Sequence, residues 1–437
     1  MKSSVSTGSV FTRAAVSVAL AVAESLSAQS PAVAPPMTAS APPAQAPPVE
    51  ELVARALERN PSVASLQAKL AAARDLVAPA GALPDPMVEV MLQDIAFPKW
   101  TIGSQEMSMV GPAVEQDLPY PGKLGARRDA ANAEAVMRGA ELDQLLREVT
   151  ARVRTLYARV WALDRERTYL GTAREMLDML AATAASRYSV GETDQEAVLK
   201  AQLEVSRLDE RLDDVAAERA KEVAALNRLL DQPGATPLGE VAELPPAEVV
   251  APPWEDLAAQ ASPEVAMRRA AVAMAEKRVA IARLDLKPDF TTGAGLGLRG
   301  AFDPAVTLRF GLALPLWRSQ KQRPLLRVAE DELAMAKAEL RDAEASARST
   351  AASLAADWQR ANRQVERYRE AIVGQSSALV DAARSAYLVG RGDFLTVVDD
   401  FNRWLDARVE LARREADRFA TWAEFQALTA EQAGKEQ

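Results

Sequence analysis

The chain of 437 residues contains neither cysteine nor histidine. Disulfides, thiol chemistry, zinc centres built from Cys and His, and acid–base catalysis by imidazole are thereby excluded. Aromatic residues amount to only 5%, while alanine, leucine, glutamate and arginine dominate, the bias of long helices and coiled coils rather than of ordinary globules. No basic block interrupts a net charge of −9, so no nucleic-acid partner is expected. Also missing is any apolar run long enough to cross a bilayer as a helix; the longest, residues 14–23, is too short. A chain of this kind that enters a membrane must do so as β-strands.

That short run has a different use. Lys2 and Arg13 flank its start and the small residues Ser25, Ser27 and Ala28 follow it, the pattern of a secretory signal peptide over residues 1–28. Residues 29–48 carry "SPAVAPPMTASAPPAQAPP", uncharged and rich in Pro and Ala, and read as an extended linker.

From residue 49 onward one unit occurs twice, over 49–231 and 254–430, with a second linker at 232–253 and a tail at 431–437. Each copy opens with a moderate helix interrupted by an X-Pro pair, Asn60-Pro61 and Ser262-Pro263, where proline suits the first position of a new helix. Two strand-like runs follow. In "DFTTGAGLGLRG" and "AVTLRFGLALPL" (strands at about 289–299 and 305–316) Phe290, Leu296, Leu298, Val306, Leu308, Phe310 and Leu312 alternate with glycine, threonine or arginine. A period of two with one apolar face and one small or polar face is the signature of a transmembrane β-strand. A soluble antiparallel sheet would alternate in the same way; the secretion signal and the duplication favour the membrane. The first copy has noisier runs at about 87–95 and 106–118.

Next comes a very long helical stretch, 123–188 and again 324–387. Leu142, Leu145, Leu146, Val149, Val153, Leu156, Val160 and Trp161 recur at spacings of three and four. Each stretch would reach roughly 100 Å at 1.5 Å rise per residue and must pack along neighbours as a coiled coil. Each meets a glycine-broken turn, "RYSVG" or "AYLVG", and returns as another long helix. Glycine there permits the left-handed geometry that ends one helix before the next begins.

"ALPDPMVEV", "DLPYPGKLGARRDAANAEA", "LALPLWRSQKQRPLLRVAEDEL" and the paired turns, in this order and duplicated, resemble the TolC-like outer-membrane efflux family over nearly all of the mature chain. The Leu-Pro-Asp-Pro and Pro-Gly-Lys elements look most like its heavy-metal branch. The resemblance implies a mainly α protein with a membrane β-barrel. Three chains would give four strands each to a 12-stranded barrel, which continues as a helical tunnel in the periplasm. It implies an outer-membrane exit duct of a tripartite pump, not an enzyme, with no catalytic, cofactor or metal site. Its partners would be two further copies of itself, a periplasmic adaptor, outer-membrane lipid and, indirectly, an inner-membrane RND-type transporter. The competing reading is a secreted trimeric coiled-coil stalk or adhesin with a small barrel anchor, which would not interleave strands between helices twice.

By the same resemblance the turns at Val190, Gly191 and Glu192 and at Val389, Gly390 and Arg391 contact the adaptor. An acidic position about nine residues past the second tip glycine forms a constriction, which points to Asp399 with its neighbour Asp400. The companion position, about six past, is Thr396, so a doubly acidic ring is not expected. Met87, Met91, Met107 and Met109, all in the first hairpin, are either barrel packing or thioether contacts for a soft metal.

Overall fold

The computed structural model describes residues 45–429, apart from 97, 99, 100, 192 and 249–253. The expected signal peptide, most of the first linker, Glu192 and the tail lie outside the described residues.

The first repeat runs through α1 (Val49–Arg59), α2 (Pro61–Asp75), α3 (Val77–Ala80), β1 (Met87–Gln93), β2 (Met109–Leu118), α4 (Lys123–Ser189) and α5 (Gln195–Leu229). The second runs through α6 (Trp254–Ala261), α7 (Pro263–Leu284), β3 (Asp289–Arg299), β4 (Phe302–Ala313), α8 (Gln322–Arg367), α9 (Val373–Leu388) and α10 (Phe394–Thr429). Between α8 and α9 a single π-helical segment, Tyr368–Ile372, interrupts the otherwise continuous rod. The X-Pro breaks act as helix starts. The Asn60 side chain accepts a hydrogen bond from Ser62 N (2.9 Å) and its amide donates to Leu229 O (3.2 Å), with Pro61 at the first helical position.

The four strands form one antiparallel sheet in the order β1-β2-β3-β4. One face carries Val88, Val90, Leu92, Val114, Phe290, Leu296, Leu298, Val306, Leu308, Phe310 and Leu312, all exposed. Phe310, at 82% exposure, has almost no protein around it. The other face is small or polar: Glu89 pairs with Arg309 at 2.9 Å across the glycines of β3. There Met91 and Met109 are buried against Ala113, and a side chain at Gly297 would collide with the sulfur of Met109. The glycine run therefore serves as a floor for methionines. No described helix is long and apolar enough to cross a membrane; the exposed apolar face of the sheet has the pattern of a lipid-facing barrel surface.

Strand passes into helix at Pro119-Tyr120-Pro121-Gly122-Lys123. Gly122 takes φ +94°, and Lys123 N donates to Tyr120 O at 2.9 Å. The N-terminal half of α4 packs between α2 and α7, with α8 beyond α7; its C-terminal half packs between α5 and α10, with α9 beyond α10. Among the described residues the sheet ends in two unpaired strand edges, β1 and β4. The second linker is pinned rather than free. Asp164, 1% exposed at its side chain, pairs with Arg219 at 2.6 Å and accepts from Val241 N at 3.0 Å. Arg219 also donates to Leu238 O and Gly239 O.

Candidate functional site

Both helical hairpins turn on a left-handed glycine, Gly191 at φ +79° and Gly390 at φ +74°. Gly191 N donates to Tyr188 O (3.0 Å) and Gly390 N to Tyr387 O (3.1 Å); at the second tip Arg391 N also reaches Ala386 O (2.9 Å). These bonds close the last helical carbonyls, as a glycine C-terminal cap does. Val190 and Val389 stand at equivalent places, each 69% exposed, and Leu388 and Leu395 extend the second tip's apolar surface. Gly191, Gly390 and Arg391 are exposed as well. In the first turn of α5, a hydrogen bond from Lys200 holds the Glu196 carboxyl below its ordinary range.

The two tips are laced together unequally. Arg187, in the last turn of α4, donates to Tyr387 O (3.1 Å) and Leu388 O (3.4 Å) at the end of α9. Its guanidinium lies 4.8 Å from the centre of the Tyr387 ring, a cation–π distance. Tyr387 is 3% exposed and edge-on to Phe394, whereas its repeat counterpart Tyr188 is 47% exposed. The buried Tyr387 hydroxyl has no hydrogen-bond partner among the described residues. Sequence reasoning missed Arg187, whose signal was its mismatch with Ala386 in turns that otherwise differ only at Ser189 and Leu388. It also missed Gly392. A Cβ there would approach Tyr387 N to 2.9 Å, so the chain needs glycine for space as well as for conformation.

The acidic candidates separate on α10. Thr396 and Asp399 are exposed and share a helix face with Arg403, whereas Asp400 is only 8% exposed. Arg403 bridges both carboxylates, 2.8 Å to Asp399 and 3.0 Å to Asp400, so the two acids and one guanidinium leave a single net negative charge. Beyond them lies an open cavity of about 470 Å³ lined by Arg211, Tyr368, Ile372, Arg403, Asp406 and Arg413, among others. Tyr368 and Ile372 bound the π-helical segment; such segments occur often at functional sites.

Among the described residues no group of three or more acidic side chains is placed to hold a metal ion. Met87, Met91 and Met109 share the small and polar face of the sheet. Met91 and Met109 are buried, with Arg309 donating to the Met91 sulfur at 3.2 Å, while Met87 and Met107 are exposed. A soft cation at Met91 would meet a guanidinium.

The structure is similar to VceC of Vibrio cholerae (TM-score 0.73, 18% identity, 87% of this chain and 96% of that one). It is similar to CusC (TM-score 0.76, 15% identity, 90% and 95%) and to the Campylobacter jejuni CmeC outer membrane channel (TM-score 0.67, 13% identity, 87% and 85%). No curated protein sequence matches. The sequence profile described as "Outer membrane efflux protein" matches residues 52–232 and 254–431, both repeats in full. With both repeats matched, this chain belongs to the outer membrane efflux protein family, passive homotrimeric channels whose helical tunnel stands in the periplasm and which engage adaptor proteins and RND transporters in tripartite pumps.

Proposed function

We propose that this channel exports metal ions or drugs delivered by its pump, that Val190, Gly191, Glu192, Val389, Gly390 and Arg391 are its adaptor contacts, and that Asp399 gates the tunnel. The observation that carries the tip assignment is the matched exposure of Val190 and Val389 on two glycine-capped turns. Exposed apolar residues at the ends of rigid helices favour a partner that buries them. The likeness of the Leu-Pro-Asp-Pro and Pro-Gly-Lys elements to the heavy-metal branch makes metal ions the first cargo to test. Deleting the gene in a strain expressing the partner pump is expected to lower the inhibitory concentrations of copper, zinc, cobalt or drugs. Unchanged sensitivity to every compound removes the export reading. Val190→Asp with Val389→Asp is expected to abolish complementation while the trimer still assembles.

For the gate, Asp399 is the reading's centre, with Thr396 on its face and Asp400 beneath. Three copies would ring the tunnel with carboxylates partly neutralised by Arg403, drawing cations while repelling one another. Asp399→Ala is expected to raise single-channel conductance in planar bilayers and to weaken block by divalent cations. Unaltered conductance and block would take Asp399 out of the gate.

A further inference from the structure

Two motifs, Leu83-Pro84-Asp85-Pro86 and "LPLWRSQKQR" at residues 314–323, have been given no structural role so far. The internal duplication gives them one. Where β2 passes into α4 the chain closes its own junction. Lys123 is buried there, its ammonium 2.9 Å from Asp289 and 3.4 Å from Asp285, and Tyr120 N donates to Asp289 at 2.7 Å. Leu118 pairs with Phe290 at the foot of the sheet.

The equivalent junction, where β4 passes into α8, makes no such clasp among the described residues. Leu316 and Trp317 are 76% and 68% exposed. Arg318, Lys321 and Arg323 are exposed and form no ion pair among the described residues. On the opposite edge, before β1, Leu76, Leu83 and Asp85 are exposed too. The antiparallel order places the end of β4 and the start of β1 at the same end of the sheet. Closing a barrel from three chains sets β4 of one beside β1 of the next.

We propose that residues 314–323 of each chain dock on residues 83–88 of the next, with Arg318, Lys321 and Arg323 gathered around Asp85 of the partner subunit. The contact repeats between chains what Lys123 and Asp289 do within one. The repeats align Leu118-Pro119 with Leu314-Pro315, and Pro288-Asp289 with Pro84-Asp85, the alignment under which Met87 opposite Glu115 matches Thr291 opposite Gly311. The Leu118–Phe290 pair therefore transfers to Leu314 opposite Pro86 of the partner subunit. That register also pairs Leu312 with Val88 and Phe310 with Val90 of the partner subunit, keeping every apolar side chain on the lipid face. A slip of one residue would set Val88 and Val90 against Ala313 and Gly311 of the other face. Asp85 stands where Asp289 stands in the other repeat and supplies the carboxylate. Opposite charge and continuity with the open strand edges favour a second copy of this chain as the occupant. The assignment rests on closure of the trimer and not on what the channel exports.

The absence of cysteine makes the test direct. Val88→Cys with Leu312→Cys, oxidised in the full chain in its membrane, is expected to give covalent trimers that reductant returns to monomer. The intrachain pair Leu118→Cys with Phe290→Cys is expected to give only monomer of altered mobility. Independently, Asp85→Lys is expected to lower the temperature at which the trimer dissociates. Arg318→Glu with Lys321→Glu and Arg323→Glu should do the same, and combining both sets should recover most of the loss. No interchain product while the intrachain pair oxidises, or an unchanged dissociation temperature in Asp85→Lys, overturns the proposal and assigns the basic turn to lipid headgroups.

Discussion

Asp164 shows how much one carboxylate can hold together. It is closed off from water and bound to Arg219 and to the Val241 amide, and so ties α4, α5 and the second linker at one point. Removing one partner of a buried pair leaves the other uncompensated, at a cost of about 3–5 kcal/mol. Asp164→Ala is expected to destabilise the purified trimer by that order in chemical denaturation. Glu51→Ala, which breaks an exposed pair with Arg55 on α1, should cost under about 1 kcal/mol. Tyr387 poses the opposite case. Its hydroxyl is buried without a partner, and leaving such a group unsatisfied costs about 1–3 kcal/mol. Tyr387→Phe keeps the ring under Arg187 and against Phe394, so stability should be unchanged or higher in a thermal melt. A clear loss of stability in that variant would mean that a neighbouring chain bonds the hydroxyl in the trimer.

At the scale of elements, the second hairpin separates two demands that glycine can meet. Gly390 has a left-handed backbone and nothing within 4 Å of a built Cβ, whereas Gly392 has no such backbone but lies against Tyr387 and Ala386. Gly390→Ala should cost about 1–2 kcal/mol from conformation alone, and Gly390→Asn less, because asparagine tolerates that region. Gly392→Ala should instead push the turn outward, so adaptor affinity should fall more than stability does. Titration of adaptor binding beside denaturant melts reads the two effects apart. Glycine alone would not have marked the turns, since Gly139 and Gly171 lie inside α4; they were legible in the sequence from the repeated Tyr-x-Val-Gly pattern. So were the strands of the second hairpin, where Phe and Leu alternate with Gly and Thr. The first hairpin is shorter than its pattern. β1 stops at Gln93 because Asp94 takes φ +52° and its carbonyl accepts from Ser108 and Thr101, long-range bonds that no local pattern reports. The π-helical segment is unmarked by proline or glycine, and sequence periodicity passes over it. Asp399 and Asp400 looked alike as neighbours, although adjacent helical residues point about 100° apart, as 3.6 residues per turn requires. Arg403 was readable in hindsight from its spacing to both. Arg187 was not, because its partners lie in the other repeat.

For the whole molecule, the governing fact is that the sheet and the helical rows of one chain stay open among the described residues. The sheet ends at β1 and β4, and the helical rows end at α2 and α8 and at α5 and α9. Lipid does not tolerate open strand edges, so closure by further copies is a requirement of this chain's own topology, and the family's trimer supplies it. The same reasoning assigns the faces of the sheet opposite tolerances. Phe310 points from β4 toward lipid at 82% exposure, whereas Thr307 lies on the face that carries Glu89, Ala113 and Gly295. A charge on the lipid face of a barrel costs about 2–4 kcal/mol at the midplane, and much less facing a water-filled lumen. Phe310→Arg is therefore expected to reduce the heat-stable trimer recovered from outer membranes. Thr307→Arg should assemble normally and instead lower cation conductance, since it adds positive charge beside Arg309. If Thr307→Arg blocks assembly and Phe310→Arg does not, the faces are reversed and the barrel reading of the sheet fails.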